Sequence, residues 1–223
     1  MNIDPLRLVA FLHVLLFVYW LGGDLGVFLC GARLTRDDLS LDERLRTREI
    51  GILLDMGPRT ALPLMVPVGF TLAIPYGSPI VGAPLVLLWL ATLAWVALIW
   101  MVHHKKGTPT GQTLQGFDYV IRYTLMPVMA VIGLSSLATE TPFADRWLAT
   151  KILLFAVIIL NGLWLRRIGG RWQAAFDLVR AGGEARITGE QMIKDNRATA
   201  KVAALSIWFL VALMAFLGVV KPF

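Results

Sequence analysis

One cysteine and three histidines stand among 223 residues. Cys30 alone cannot close a disulfide within the chain, and no cysteine-based metal cluster can be built from it. Charge is scarce as well. Asp, Glu, Lys and Arg make up 16% of the residues, against about 25% in an ordinary soluble domain. The signatures of soluble enzymes are missing too: no glycine-rich phosphate loop, no G-x-G-x-x-G after a strand, no H-E-x-x-H, no paired carboxylates on one catalytic face. Ser135-Ser136 sits inside an apolar run with no histidine near it in sequence, which marks the pair as packing residues. No internal repeat or low-complexity tract interrupts the chain, and nothing suggests a separate soluble domain.

What is abundant is apolar sequence. Hydrophobic residues make up 57% of the chain and the mean hydropathy is +0.68. They fall in runs of about 20, the length that crosses hydrocarbon. This predicts an all-α polytopic transmembrane helix bundle, a single integral-membrane domain over 1–223, with spans near 5–31, 60–76, 82–102, 118–138, 147–165 and 202–220. The opening MNIDPLRL lacks the basic head of a cleavable signal, so the first run is expected to stay as a span. The second carries Pro58, Pro63, Pro67 and Pro75 and is expected to be kinked or broken. Short amphipathic cytoplasmic helices are expected between spans. Ser40-Leu-Asp-Glu43 is a capping box that opens one of them, running to about residue 55. Between the last two spans, 172–180 reads as helix, AGGEARITGE as a turn, and 191–200 as a helix leading into the final span.

The net charge of +6 is distributed by side. Arg33, Arg36, Arg44, Arg46, Arg48 and Arg59 fall in one connection, Lys105, Lys106 and Arg122 in another, and Arg166 through Lys201 in a third. Arg7, Arg146 and Lys221 alone mark the opposite side. The positive-inside rule then places both termini outside and the basic loops in the cytoplasm. Topology accounts for the charge, and no nucleic-acid partner is expected.

Within the first span, HVLLFVYWLGGDLGVF carries an imidazole and a carboxylate. At 100° per residue, His13, Phe17, Trp20 and Asp24 share one helical face. Gly22, Gly23 and Gly26 allow close approach by a helix or by a flat ligand. An intramembrane imidazole serves as an interhelical hydrogen bond, a proton relay or an axial ligand of haem iron. Asp24 suits a salt bridge or a water-lined helix end as well as chemistry. In Arg146-Trp-Leu-Ala-Thr-Lys151, Lys151 falls at nearly the depth of His13. It is either a snorkelling lysine or a cation for a propionate or substrate carboxylate, with Arg146 serving the same anion from the interface. His103 and His104 end the third span beside Lys105 and Lys106, as solvated interface residues. Their depth separates them from His13, so no bis-histidine cage is expected in one chain. A sixth haem position would be open, or filled by Met214, Met129, Lys151 or a neighbouring chain.

Four stretches together resemble the bacterial HemJ-type family of membrane haem proteins linked to protoporphyrinogen IX oxidation, and more loosely the CopD-like membrane domains. His13 with Trp20 and Gly22-Gly23 is similar to that family's first span. REIGILLDMGPRTALPLMVPVGFTL resembles its basic helix entering a proline-interrupted second span. Trp147-Leu148 followed by Lys151 resembles its W-L-x-x-K element, and Val219-Val220-Lys221-Pro222-Phe223 its C-terminal V-V-K-P-F. The resemblance implies His13 as axial ligand of one haem b per chain and Lys151 as the functionally important lysine beside the tetrapyrrole. There are departures. Asp24 and LGVFLCGAR replace an aromatic and a Pro-Arg pair, and Asn161 lies near where a late histidine is expected. The chain is also longer than typical members.

These readings predict a b-type haem protein of the bacterial inner membrane, multi-pass, with periplasmic termini, engaged in electron transfer. It would act as a redox subunit passing electrons to quinone or a partner, or as a protoporphyrinogen oxidase-like enzyme. His13, Trp20, Gly23, Arg146 and Lys151 are the expected cofactor-binding residues, with iron on His13 and Lys151 as the catalytic candidate. The lipid bilayer, a tetrapyrrole or quinone, and other membrane subunits or further copies of the chain are the expected partners. The alternatives are a haem-free small transporter or channel using the broken second span, Asp24 and Lys151, or an assembly subunit whose eight tryptophans and glycine faces serve packing.

Overall fold

The computed structural model describes residues 4–223, and its apolar runs are all helical. Seven helices follow in order: α1 (Pro5–Leu34), α2 (Leu41–Leu54), α3 (Met56–Leu72), α4 (Ala83–His104), α5 (Pro109–Thr139), α6 (Arg146–Ala181) and α7 (Gly183–Val220). A 3-10 turn, Ile74–Tyr76, follows α3. No strand occurs among the described residues. Local chemistry sets several starts. Asp4 accepts from the Leu6 amide with Pro5 at the first helical position, and Thr108 accepts from the Gly111 amide ahead of Pro109, so side-chain oxygens satisfy otherwise orphaned amides.

Both halves of the expected capping box form at α2: Ser40 accepts from the Glu43 amide, and Glu43 accepts from the Ser40 amide. Those Ser40 hydrogen bonds hold the Glu43 carboxyl below its ordinary 4.5. The folded value being the lower one, the stabilisation is complete above the unfolded pKa and is lost as pH falls through the folded value. Protection of the first amides of α2, taken against the intrinsic exchange rate at each pH, is therefore expected to fall below about pH 4, and in Ser40→Ala to be low already at pH 7. Unchanged exchange in that variant would remove the cap's role.

Helices α1, α4, α5, α6 and α7 are long and apolar enough to cross a membrane. Each also shows large apolar side chains to the surroundings, among them Phe11, Leu90, Val131, Leu160 and Phe209. This is the surface of a helical membrane protein. The second expected span differs from its prediction. It begins at Met56 rather than near residue 60 and is helical through Pro58, Pro63 and Pro67 to Leu72, after which Ile74–Tyr76, with Pro75, forms a separate 3-10 turn. Pro63 and Pro67 are enclosed within it. Helix α3 runs between its neighbours, with Thr60 and Thr71 accepting from the Trp100 and Trp89 indoles of antiparallel α4. Burial among other helices explains why the prolines are tolerated.

Two further expectations are corrected. Helix α5 starts at Pro109, nine residues before the expected span, and takes in Asp118 and Arg122, which the charge pattern had left at its edge or in a loop. Nor is AGGEARITGE a ten-residue turn: Gly182 and Gly183 alone reverse the chain, at φ 75° and 55°. Left-handed backbone is open to glycine at little cost, so α6 and α7 form one hairpin of 36 and 38 residues. At 1.5 Å per residue each arm is roughly 55 Å long, well beyond the ~30 Å of hydrocarbon.

The bundle has two ends. At one, α1 begins, α3 finishes and α7 finishes beside the start of α6. At the other lie α2 and the glycine turn of the hairpin, with most of the arginines. The main core runs through Trp20, Leu62, Val66, Phe70, Trp95, Phe143, Phe155 and Ile159. A second, smaller core joins Leu34, Ala175, Phe176, Val179 and Ile193 at the α2 end. Arg44 closes it, 1% exposed. Its Nε donates to the Leu34 carbonyl at 2.8 Å, its two terminal nitrogens donate to Glu190 at 2.7 and 2.9 Å, and its guanidinium lies over Phe176.

Candidate functional site

Of the five residues singled out in the sequence, two, His13 and Lys151, lie inward at one end of the bundle. His13 lies on the half-buried face of α1, in line with Phe17 and the buried Trp20. Lys151, one turn into α6, lies at the same end of the bundle, beside the end of α7. The Nδ1 atom of His13 is buried and has no hydrogen-bond partner among the described residues. An orphaned polar atom at this depth is costly unless a further group engages the ring.

Lys151 is surrounded by groups that accept a cation weakly and none that neutralises it. Its ammonium sits 5.9 Å from the Trp147 ring centroid and occupies the space a side chain at Gly218 would take. Lys221 lies beside it, 4.3 Å from the Tyr76 centroid and 5.3 Å from that of Trp147, and also donates to the Tyr76 hydroxyl. Tyr76 and Trp147 meet edge to face, with ring centroids 5.1 Å apart. Two ammonium groups thus share an aromatic floor, and neither forms an ion pair among the described residues. Cation–π contacts hold such groups in place and leave their charge available to an anion.

The other three stand apart. Arg146 is exposed at the first turn of α6. Trp20 is in the core, and Gly23 lies against α3, where an added Cβ would strike the Pro58 ring and come within 3.0 Å of the Leu54 carbonyl. Gly26 meets Leu54 in the same way. Of the two uses expected for the glycine face, the structure shows helix packing. Asp24 lies one turn beyond Trp20 on α1, toward the α2 end. His103 and His104 end α4 at that same end, their rings 5.4 Å apart, away from His13.

Sequence reasoning missed a buried ionic cluster. Asp118 accepts from the Trp95 indole at 2.8 Å, from Arg122 Nε at 3.2 Å, and pairs with Arg166 at 2.8 Å. The guanidinium of Arg122 lies over Trp95 and that of Arg166 over Tyr119. The Asp–Arg spacing of four inside an apolar run was the available signal. Tyr76 and Lys221 were missed as partners of Lys151, because a contact between the end of α3 and the end of α7 leaves no trace in local sequence.

No protein-family model matches the chain, and no curated protein and no solved structure matches it either.

Proposed function

We propose that the chain is a b-type haem protein of the bacterial inner membrane that carries single electrons, with its basic end in the cytoplasm. The observation that carries this is the buried, unpartnered Nδ1 of His13, with the Lys151 ammonium free of any ion pair among the described residues at the same end of the bundle. Haem brings four nitrogens of its own and asks the protein for axial ligands only. The residues that would hold such a group are the His13 imidazole for the iron and the Lys151 and Lys221 ammonium groups for propionates. When bound, haem supplies one-electron chemistry. The chain's part is to orient it through His13, to hold its carboxylates through Lys151 and Lys221, and to exclude water with the packed core below Trp20.

The four-part resemblance to the HemJ-type family supports the same reading. Its departures favour an electron-transfer subunit, passing electrons to quinone or a partner protein, over a protoporphyrinogen oxidase.

A dithionite-reduced minus oxidised spectrum with a pyridine haemochrome assay tests the proposal. Wild type is expected to show a b-type spectrum and His13→Ala to lose it. Lys151→Gln is expected to keep the spectrum but release haem faster to an apo-globin acceptor. Haem-free wild type after expression with ample haem, or an unaltered spectrum in His13→Ala, would overturn it.

A further inference from the structure

Between α5 and α6, on the outside of the bundle, lies a groove of about 370 Å³. Its walls are mostly apolar, with Val157, Leu160 and Trp164 each well exposed and Asn161 the one polar side chain among them. Its head is polar. Arg167 reaches the Tyr123 hydroxyl at 3.4 Å, too long to satisfy a guanidinium, and no carboxylate pairs with Arg167 among the described residues. Behind it, Arg122 and Arg166 share the single carboxylate of Asp118, and Arg122 Nη2 is buried without a partner. Three guanidinium groups against one carboxylate leave two positive charges uncompensated at this level.

Depth matches the chemistry. Arg167 lies 21 residues beyond Arg146, the first residue of α6, or about 32 Å along the helix, close to the ~30 Å of hydrocarbon. Its guanidinium is therefore at the headgroup level of the basic end, with Tyr123 and Trp164 in the interfacial belt that aromatic residues favour. Val157 and Leu160 run beneath, at the level of acyl chains.

We infer that this groove is a binding site for an anionic phospholipid, its phosphate held by Arg167 and Tyr123 and one acyl chain laid along Val157, Leu160 and Trp164. A transmembrane helix of a partner would cover the apolar walls but leave the guanidinium groups without a counter-charge. A zwitterionic lipid carries its own cation to the same place. Basic pockets between helices at a cytoplasmic face suit anionic headgroups for these reasons.

Native mass spectrometry of the full, delipidated chain tests the site, titrating phosphatidylglycerol and phosphatidylcholine of identical acyl chains. Phosphatidylglycerol is expected to bind at least about fivefold more tightly, as one interfacial arginine predicts. Arg167→Gln should erase that preference, Leu160→Trp should weaken both lipids by filling the slot, and Arg186→Gln, exposed at the hairpin tip, should change neither. Equal affinity of wild type for the two lipids, a preference that survives Arg167→Gln, or a second copy of the chain displacing lipid from the groove would overturn the inference.

Discussion

Asp118→Asn is expected to destabilise the protein by about 3–5 kcal/mol, the larger of the two effects argued here. Asparagine keeps the shape and can still accept from the Trp95 indole, but it removes the one negative charge that Arg122 and Arg166 share. The three side chains are 2%, 4% and 12% exposed, so water cannot take the carboxylate's place. Two guanidinium groups would then face each other in a dry interior, and a buried charge left without its partner is the severe case among point mutations. The expected reading is a fall in the thermal midpoint in detergent on the order of 10 °C. A second substitution checks the cause. Arg122→Met added to Asp118→Asn removes a cation whose Nη2 is already unpartnered, and should recover part of the loss. A double variant no more stable than Asp118→Asn would show that shape, not charge, governs the site.

Arg44→Ala follows the same physics in the second core. The substitution unpairs Glu190, frees the carbonyl of Leu34 at the end of α1 and opens a cavity over Phe176. The bidentate geometry makes this one of the stronger forms of ion pair, and its loss is expected to cost about 3 kcal/mol or somewhat more. The consequence is local. Helix α2 should detach from the hairpin, and limited proteolysis should cut near residues 35–40 and 182–183 while the membrane-embedded helices stay protected. Replacing both partners, Arg44→Met with Glu190→Met, should restore most of the protection, since a buried pair exchanged for apolar residues of similar volume is often neutral. Cleavage in the double variant as fast as in Arg44→Ala would argue for the lost carbonyl contact instead.

These clusters also mark where sequence reading succeeds and where it stops. Apolar length and capping chemistry are local properties, and they located α1, α4 and the start of α2 to within a few residues. Arg44, Arg122 and Arg166 were all read as loop charges, since a charged side chain in isolation argues for water. Only the partners contributed by distant helices overturn that, and periodicity does not encode them. The glycine-rich AGGEARITGE illustrates the same limit. Its composition favours a turn, yet Gly189 packs against Ala175 and Val179 and Glu190 meets Arg44, so tertiary packing keeps every residue of it but Gly182 helical. At the candidate site, His13 and Lys151 were legible as charges within apolar runs. The floor of Tyr76, Trp147 and Lys221 under Lys151 was not, because it joins three parts of the chain far apart in sequence.

The pairing of Arg44 with Glu190 has a temporal consequence. The two residues are 146 positions apart, and at a synthesis rate of about 5–20 residues per second the acid emerges from the ribosome roughly 7–30 s after the arginine. Helices α1 and α3 pack on each other within the first third of the chain and can assemble in that interval. Arg44 must wait through it with its charge unanswered, so the small core beside α2 is completed only when the last helix arrives. A nascent chain stalled before Glu190 should therefore carry a folded N-terminal hairpin in the membrane and a loose α2 outside it.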